Sequence, residues 1–205
     1  MAEASGGSGG RRLPLLDVEE ARLRASEVGI PQHMADLNVF RTLLHQPGAA
    51  AAVNRMLHAL LWKGSLDARL RELLILRIGW TCGAVYEWTH HWAIALAAGV
   101  PEDDVLGVRD WLTHEGFDDL DRAVLAATDE SLADGSISDL TWKACATHLD
   151  EAQLVEMVVA IGNWTLFARL LPSLDVPLED GVVPWPPDGL NPSAMAKFDS
   201  KEDAS

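Results

Sequence analysis

Cysteine is scarce in this chain: Cys82 and Cys145 are the only two in 205 residues, and neither falls in a CxxC or CxxxC pair. That excludes a disulfide framework and a cysteine-based zinc site, and it fits free thiols in a reducing, cytoplasmic setting. Positive charge is also short, with 16 Lys plus Arg against 31 Asp plus Glu and a net charge of -15. A surface this acidic repels phosphate backbones and anionic lipid, so neither nucleic acid nor a membrane surface is an expected partner. No uncharged apolar run reaches the ~18 residues that suggest a membrane span. The longest such stretch, Met157 to Ala168, is broken by Asn163. The opening MAEASGGSGGRR has no apolar segment of the kind a secretory signal needs. Strand signals are missing too: there is no alternating Val/Ile/Thr run and no Asn-Gly or Asp-Gly hairpin between such runs. Without strands there is no strand–loop–helix phosphate cradle, which removes that type of nucleotide site.

Helix punctuation fills the chain. Apolar residues make up 48% of the sequence, enough for one sizeable core. Asp17 with Glu20 reads as a capping box for a helix to about Val28, and Pro31 as the first residue of a second helix carrying Met34, Leu37 and Leu44. A third helix runs from Pro47 to Trp62. Ser65 then reads as the cap of LDARLRELLILRIGW, whose Leu66, Leu70, Leu73, Leu74 and Ile78 form an apolar stripe. Thr81-Cys82-Gly83 interrupts the pattern before a helix from about Ala84 to Ala98, closed by Gly99. Further helices follow after Pro101, in DRAVLAATDESLADG, behind Ser138, and in EAQLVEMVVAIGNWTLFARLL as far as Pro172. The expected fold is all-α: a single compact domain of eight or nine helices over residues 13–183. A Gly/Ser-rich flexible tail at 1–12 and a Pro-rich, charged tail at 184–205 flank it, the latter with Trp185 pinned to the body.

The densest polar cluster on an apolar helix is Tyr86-Glu87-Trp88-Thr89-His90-His91. Glu87 and His91 are one turn apart on one face, with His90 beside them. A carboxylate one turn from an imidazole fixes its tautomer and raises its pKa, which suits acid–base work near neutral pH. On an exposed face the same pair contributes only a few tenths of a kcal/mol and carries no function. A zinc reading is weaker, because the HExxH order is absent. Glu72 lies between Arg69 and Arg77 in a strongly apolar helix, where a surface ion pair with Arg69 is the plain reading. Cys82 stands just before the next helix, whose N-terminal field would lower a thiol pKa, while the plain alternative is a small buried filler. Cys145 reads as filler. Trp62, Trp80, Trp88, Trp92, Trp111, Trp142 and Trp164 read as packing residues.

Residues 69–100, RLRELLILRIGWTCGAVYEWTHHWAIALAAGV, resemble the signature segment of the carboxymuconolactone decarboxylase family, which includes the alkylhydroperoxidase D-like proteins. The upstream LNVFRTLLHQPG and downstream AVLAATDESLADGSISDLTWKA extend the likeness to roughly residues 30–180. In the peroxidase branch of that family, the positions matching Ala84 and Glu87 are thiols, followed by the His that matches His91. This chain keeps Glu72 and His91 but neither thiol, and Cys82 sits two residues before the first thiol position. The decarboxylase branch carries a Tyr-Glu-Trp ahead of the His, matching Tyr86, Glu87, Trp88 and His91.

The resemblance therefore implies a cofactor-independent, metal-free lyase acting on a small lactone or carboxylic acid. His91 would be the proton donor and acceptor, Glu87 its partner, and Glu72 a third carboxylate from the preceding helix. Tyr86, His90, Arg77 and Trp88 would bind substrate. It also implies a homo-oligomer with a small-molecule substrate. Two alternatives stand beside it: a peroxiredoxin-like activity using Cys82 as a lone thiol with an outside reductant, and a non-catalytic helical binding protein. The second would be favoured if side chains filled the space beside Glu87 and His91.

Overall fold

The computed structural model describes residues 12–193. Most of the two expected tails, 1–11 and 194–205, lies outside the described residues. No strand occurs among the described residues, and the chain forms one all-α domain. The helices are α1 (Val18–Glu27), α2 (Gln32–Ala35), α3 (Asn38–Leu43), α4 (Pro47–Trp62), α5 (Ala68–Thr81), α6 (Val85–Ala97), α7 (Glu102–Gly107), α8 (Asp119–Asp134), α9 (Asp139–Ala146) and α10 (Glu151–Ser173). A 3₁₀ turn at Val108–Asp110 follows α7.

α5 is the axis of the fold, packed against α6, α8 and α10. Leu73, Leu74, Ile75 and Leu76 are all fully buried, so four consecutive side chains find apolar neighbours in every direction around the helix. Its cap is Asp67, whose carboxylate accepts from the Arg69 and Leu70 N–H groups. Ser65, expected in that role, is held instead by Glu156 of α10, which accepts from the Ser65 and Leu66 backbone N–H groups at 2.6 and 3.0 Å. Arg69 does not pair with Glu72. It bridges to Asp104 of α7 at 2.8 Å and to Asp121 at the start of α8.

The α5–α6 connection sets the site. Ala84 N–H reaches Gly79 C=O at 2.8 Å and Gly83 N–H reaches Trp80 C=O at 3.1 Å, the two bonds of a Schellman ending. Gly83 takes φ +64°, a left-handed value that a side chain would resist. Gly79 matters for another reason: a Cβ there would sit 3.1 Å from Trp88 N and 3.6 Å from Glu87 Cβ. Its bareness lets α5 and α6 approach closely enough for side chains one helix apart to share a proton.

The second helix expected after Pro31 is divided into α2 and α3, because Leu37 is extended (φ −70°, ψ 138°) and caps a new helix at Asn38. The predicted capping box at α1 is half formed: Asp17 caps, while Glu20 pairs with Arg24 instead. Capping boxes do appear at α8 (Asp118 with Asp121) and α10 (Asp150 with Gln153). Contrary to the expectation of no such segment, α10, at 23 residues with a window of mean hydropathy 1.5, is by length and composition apolar enough to cross a membrane. Half of that window is buried inside the fold.

Beyond α10 the chain runs back across the helices. Asn38 donates to the Pro177 and Leu178 carbonyls, and Glu179 accepts from Asn38 N–H. Further on, Trp185 N–H donates to Thr89 Oγ1 and its ring lies 5.9 and 6.2 Å from those of Trp80 and Trp88.

Candidate active site

α6 has two buried faces. Trp88, Trp92 and Ala95 pack into a cluster with Trp80, Val105 and Leu125. The opposite face carries Glu87, His90, His91 and Ile94, spaced at i, i+3, i+4 and i+7, and these line a cavity of about 260 Å³. Met34, Phe40, Leu57, Leu61 and Phe167 from α2, α3, α4 and α10 complete its apolar wall. The half-exposed Trp62 and Ile94 stand among its lining residues, so solvent reaches it.

At its inner end His91, buried and only 7% exposed, is held on both ring nitrogens. Nδ1 lies 2.6 Å from Oε2 of the fully buried Glu72 on α5. Nε2 accepts from the indole N–H of Trp164 on α10 at 3.1 Å, and stands 3.6 Å from Oε2 of Glu87. An indole N–H can only donate, so Nε2 bears the lone pair in this arrangement and Nδ1 carries the hydrogen toward Glu72. Should Nε2 gain a proton, Glu87 is the acceptor one turn away. The protonated ring thus has a counter-charge close by at 3.6 Å, while the Trp164 N–H then loses its acceptor. Glu72 is itself balanced by Arg71, whose Nε lies 3.3 Å from Oε1.

These contacts shape the titration. Burial by itself would lower the His91 pKa, but the Glu72 carboxylate, with Glu87, carries it above the ordinary imidazole value. Burial raises the Glu87 pKa, opposed only in part by the two histidines. Two neighbouring groups whose pKa values are both displaced upward, in a largely dry site, are candidates for general acid–base chemistry.

Tyr86 and His90 also line the cavity, with rings 4.3 Å apart, while the Tyr86 hydroxyl and His90 Nε2 are directed to Glu179. Tyr86, the only tyrosine in the chain, donates its hydroxyl to Glu179 Oε1 at 2.6 Å. His90 Nε2 lies 2.6 Å from Glu179 Oε2. Burial would raise the Glu179 pKa, yet these neighbours and the Asn38 N–H hold it at about 2.

Two expected substrate-binding residues are placed away from the cavity. Arg77 forms a two-pronged ion pair with Asp129 on α8 (2.7 and 2.8 Å) and donates to the Val108 and Arg109 carbonyls, so its donors are committed. Trp88 is fully buried on the other face of α6, donating to the Pro186 carbonyl at 2.9 Å. Glu72 reaches His91 from behind and does not line the cavity. Cys82 is not at the start of a helix: it is the C-cap of α5, where the helix field opposes a thiolate. Desolvation raises its pKa, outweighing the pull of Arg169. Among the described residues, no three His, Cys, Asp or Glu side chains come together to hold a metal ion.

Trp164 was read from sequence as packing, yet it defines the His91 tautomer. Its distance of 73 residues from His91 leaves no local spacing signal. Glu179 escaped notice for the same reason, lying in a stretch without helical period.

Residues 47–130 of the chain match the carboxymuconolactone decarboxylase family. The solved structures it resembles share the alkylhydroperoxidase D-like fold. They include the alkylhydroperoxidase core of an uncharacterised peroxidase-related protein from Ralstonia eutropha JMP134, at 20% identity and a TM-score of 0.68, covering 85% of this chain and 98% of that one. A peroxidase-related protein from Silicibacter sp. TM1040 is 12% identical with a TM-score of 0.68, covering 88% and 97%. The debrominase Bmp8 is 16% identical with a TM-score of 0.63, covering 80% and 86%. No curated protein matches the chain by sequence.

Proposed function

We propose that the protein is a cofactor-independent enzyme of acid–base chemistry, decarboxylation or related proton transfer, with His91 as the group that takes and returns the proton. The observation that carries this reading is the environment of His91 Nε2: a donor, Trp164, and an acceptor, Glu87, both at the wall of a cavity, with Glu72 fixing the far nitrogen at 2.6 Å. Glu72 acts as a positioning residue. Glu87 is the second acid, able to hydrogen-bond a substrate oxygen as negative charge develops there.

In the reaction, His91 Nε2 abstracts a proton next to a substrate carbonyl. The electron pair flows into the carbonyl as an enolate, which Glu87 stabilises with its proton. His91 then returns the proton to the same or a conjugated carbon, so no redox partner is needed. Proton return to an enolate is also the closing step of decarboxylation of an unsaturated lactone acid.

The thiol alternative lacks support, because Cys82 sits at the wrong end of a helix and outside the cavity lining. The non-catalytic alternative was tied to a filled site, whereas about 260 Å³ stands open beside His91. The test is carbon–hydrogen exchange: a panel of enolisable lactones and ketones in D₂O, followed by NMR with wild type and His91→Gln. Exchange catalysed by the wild type and lost in the variant is the expected result. Equal exchange in both removes His91 from the chemistry.

A further inference from the structure

Resting on the acid–base reading above, we infer that the cavity selects an uncharged, largely apolar molecule carrying one carbonyl or similar acceptor, and rejects carboxylates and other anions.

The lining contains no lysine or arginine. Four of its fourteen residues are polar, and Tyr86 and His90 spend their polar tips on Glu179, presenting ring surface to the cavity. That leaves the Glu87 carboxyl group and the His91 imidazole as the acid and base a ligand meets at the inner end of the cavity. Any positive charge on His91 is already matched by Glu72 at 2.6 Å. The nearest guanidinium, Arg71, faces Glu72 and the Leu60 carbonyl, and Arg77 is clamped on Asp129.

A carboxylate leaving water needs a cation or several N–H donors to replace its hydration. Here it would meet apolar walls and the Glu87 carboxyl group, which repels it when ionised. A neutral carbonyl oxygen meets the opposite situation. It accepts from Glu87 in the protonated form that burial favours, while the rest of the molecule gains by covering apolar surface. The volume, about 260 Å³, exceeds the ~150 Å³ known to hold one benzene ring, so a substituted ring or small bicycle fits. Of the lactones and carboxylic acids expected from the sequence, the neutral lactones fit and the carboxylates have the wrong charge; of the two reactions proposed, the cavity then favours the proton transfer, which leaves the carbon skeleton intact.

Benzamide and benzoate share size and shape and differ in charge, so they test this directly. Ligand-observed NMR titrations of the full chain at neutral pH should show benzamide binding at least tenfold tighter than benzoate. Binding should be lost in Ile94→Trp, which fills the cavity from a partly exposed position. Equal affinities, a preference for benzoate, binding of neither, or benzamide binding that survives Ile94→Trp each overturn the inference. The same titrations with His91→Gln separate the two proposals. Neutral selectivity with unchanged proton exchange sinks the acid–base reading alone, whereas benzoate preference with abolished exchange sinks the selectivity alone.

Discussion

The two faces of α6 are chemically opposite, and the packed one is the more deeply buried. On one, Trp88 and Trp92 pack with Trp80, and Arg109 lies over the Trp80 and Trp88 rings at 4.7 and 4.9 Å. That guanidinium gains from the ring faces while pairing with Asp188, and the region is filled. On the other face, two carboxyl groups and an imidazole are drawn out of water and an adjoining space is left open. Apolar packing offsets the cost of the second face: Gly79 and Trp88 bring α6 hard against α5, so Glu72 and His91 are held together by packing they do not themselves provide. One face stabilises and the other carries the chemistry.

The largest effect should come from disturbing the packed face. Trp88→Ala removes a fully buried indole and leaves a void, an expected loss of ~3–5 kcal/mol that thermal or denaturant unfolding would read. A stable Trp88→Ala variant with abolished turnover would mean that the faces are not divided as described.

Next is His91→Gln, expected to lower proton-transfer turnover by ~10²-fold or more, about 2.7 kcal/mol of barrier. The pH profile sharpens it. A base working at Nε2 must be unprotonated, and the His91 pKa is raised above its ordinary 6.5, so the rising limb should lie above that pH. A limb below it would show that Glu72 does not support the imidazolium.

The division between faces explains what was legible beforehand. Helix ends follow from local residues, so Pro47, Gly83, Gly99, Ser138 and the break before α6 could be read directly. Glu87 and His91 could be paired because a helix fixes which side chains share a face. Whether that face was buried, and against what, depended on residues far along the chain. Thus Glu72 looked like a partner of Arg69 until Asp104 and Asp121 claimed that arginine. Arg77 on α5 and Trp88 on α6 lie in the same segment as His91 but turn to Asp129 and to the Trp80 cluster, partners that the local apolar pattern does not reveal. Trp164 and Glu179 enter only through tertiary structure.

A smaller effect is expected at Glu179, the link between the cavity wall and the returning chain. Its folded pKa, about 2, lies below the ordinary 4.5, so its ionised form stabilises the protein above about pH 4.5. That contribution is lost as pH falls through about 2. Glu179→Gln should therefore cost on the order of 1 kcal/mol at neutral pH and flatten the acid side of the stability curve. Parallel acid curves for variant and wild type would show that the Tyr86 and His90 contacts hold nothing in place.

The smallest effect should be at Cys82, and its smallness is informative. Desolvation raises the thiol pKa, and the residue caps the C-terminal end of α5, where the negative end of the helix field also disfavours a thiolate. Arg169 draws the pKa down, but not enough to reverse the direction. The thiol should react slowly with a maleimide or aromatic disulfide at pH 7, faster only as pH rises beyond the ordinary thiol range. Cys82→Ser should alter stability by less than ~0.5 kcal/mol and leave proton-exchange turnover unchanged. Rapid labelling at pH 7 combined with loss of turnover in Cys82→Ser would move the reactive centre from the open face of α6 to the turn that precedes it.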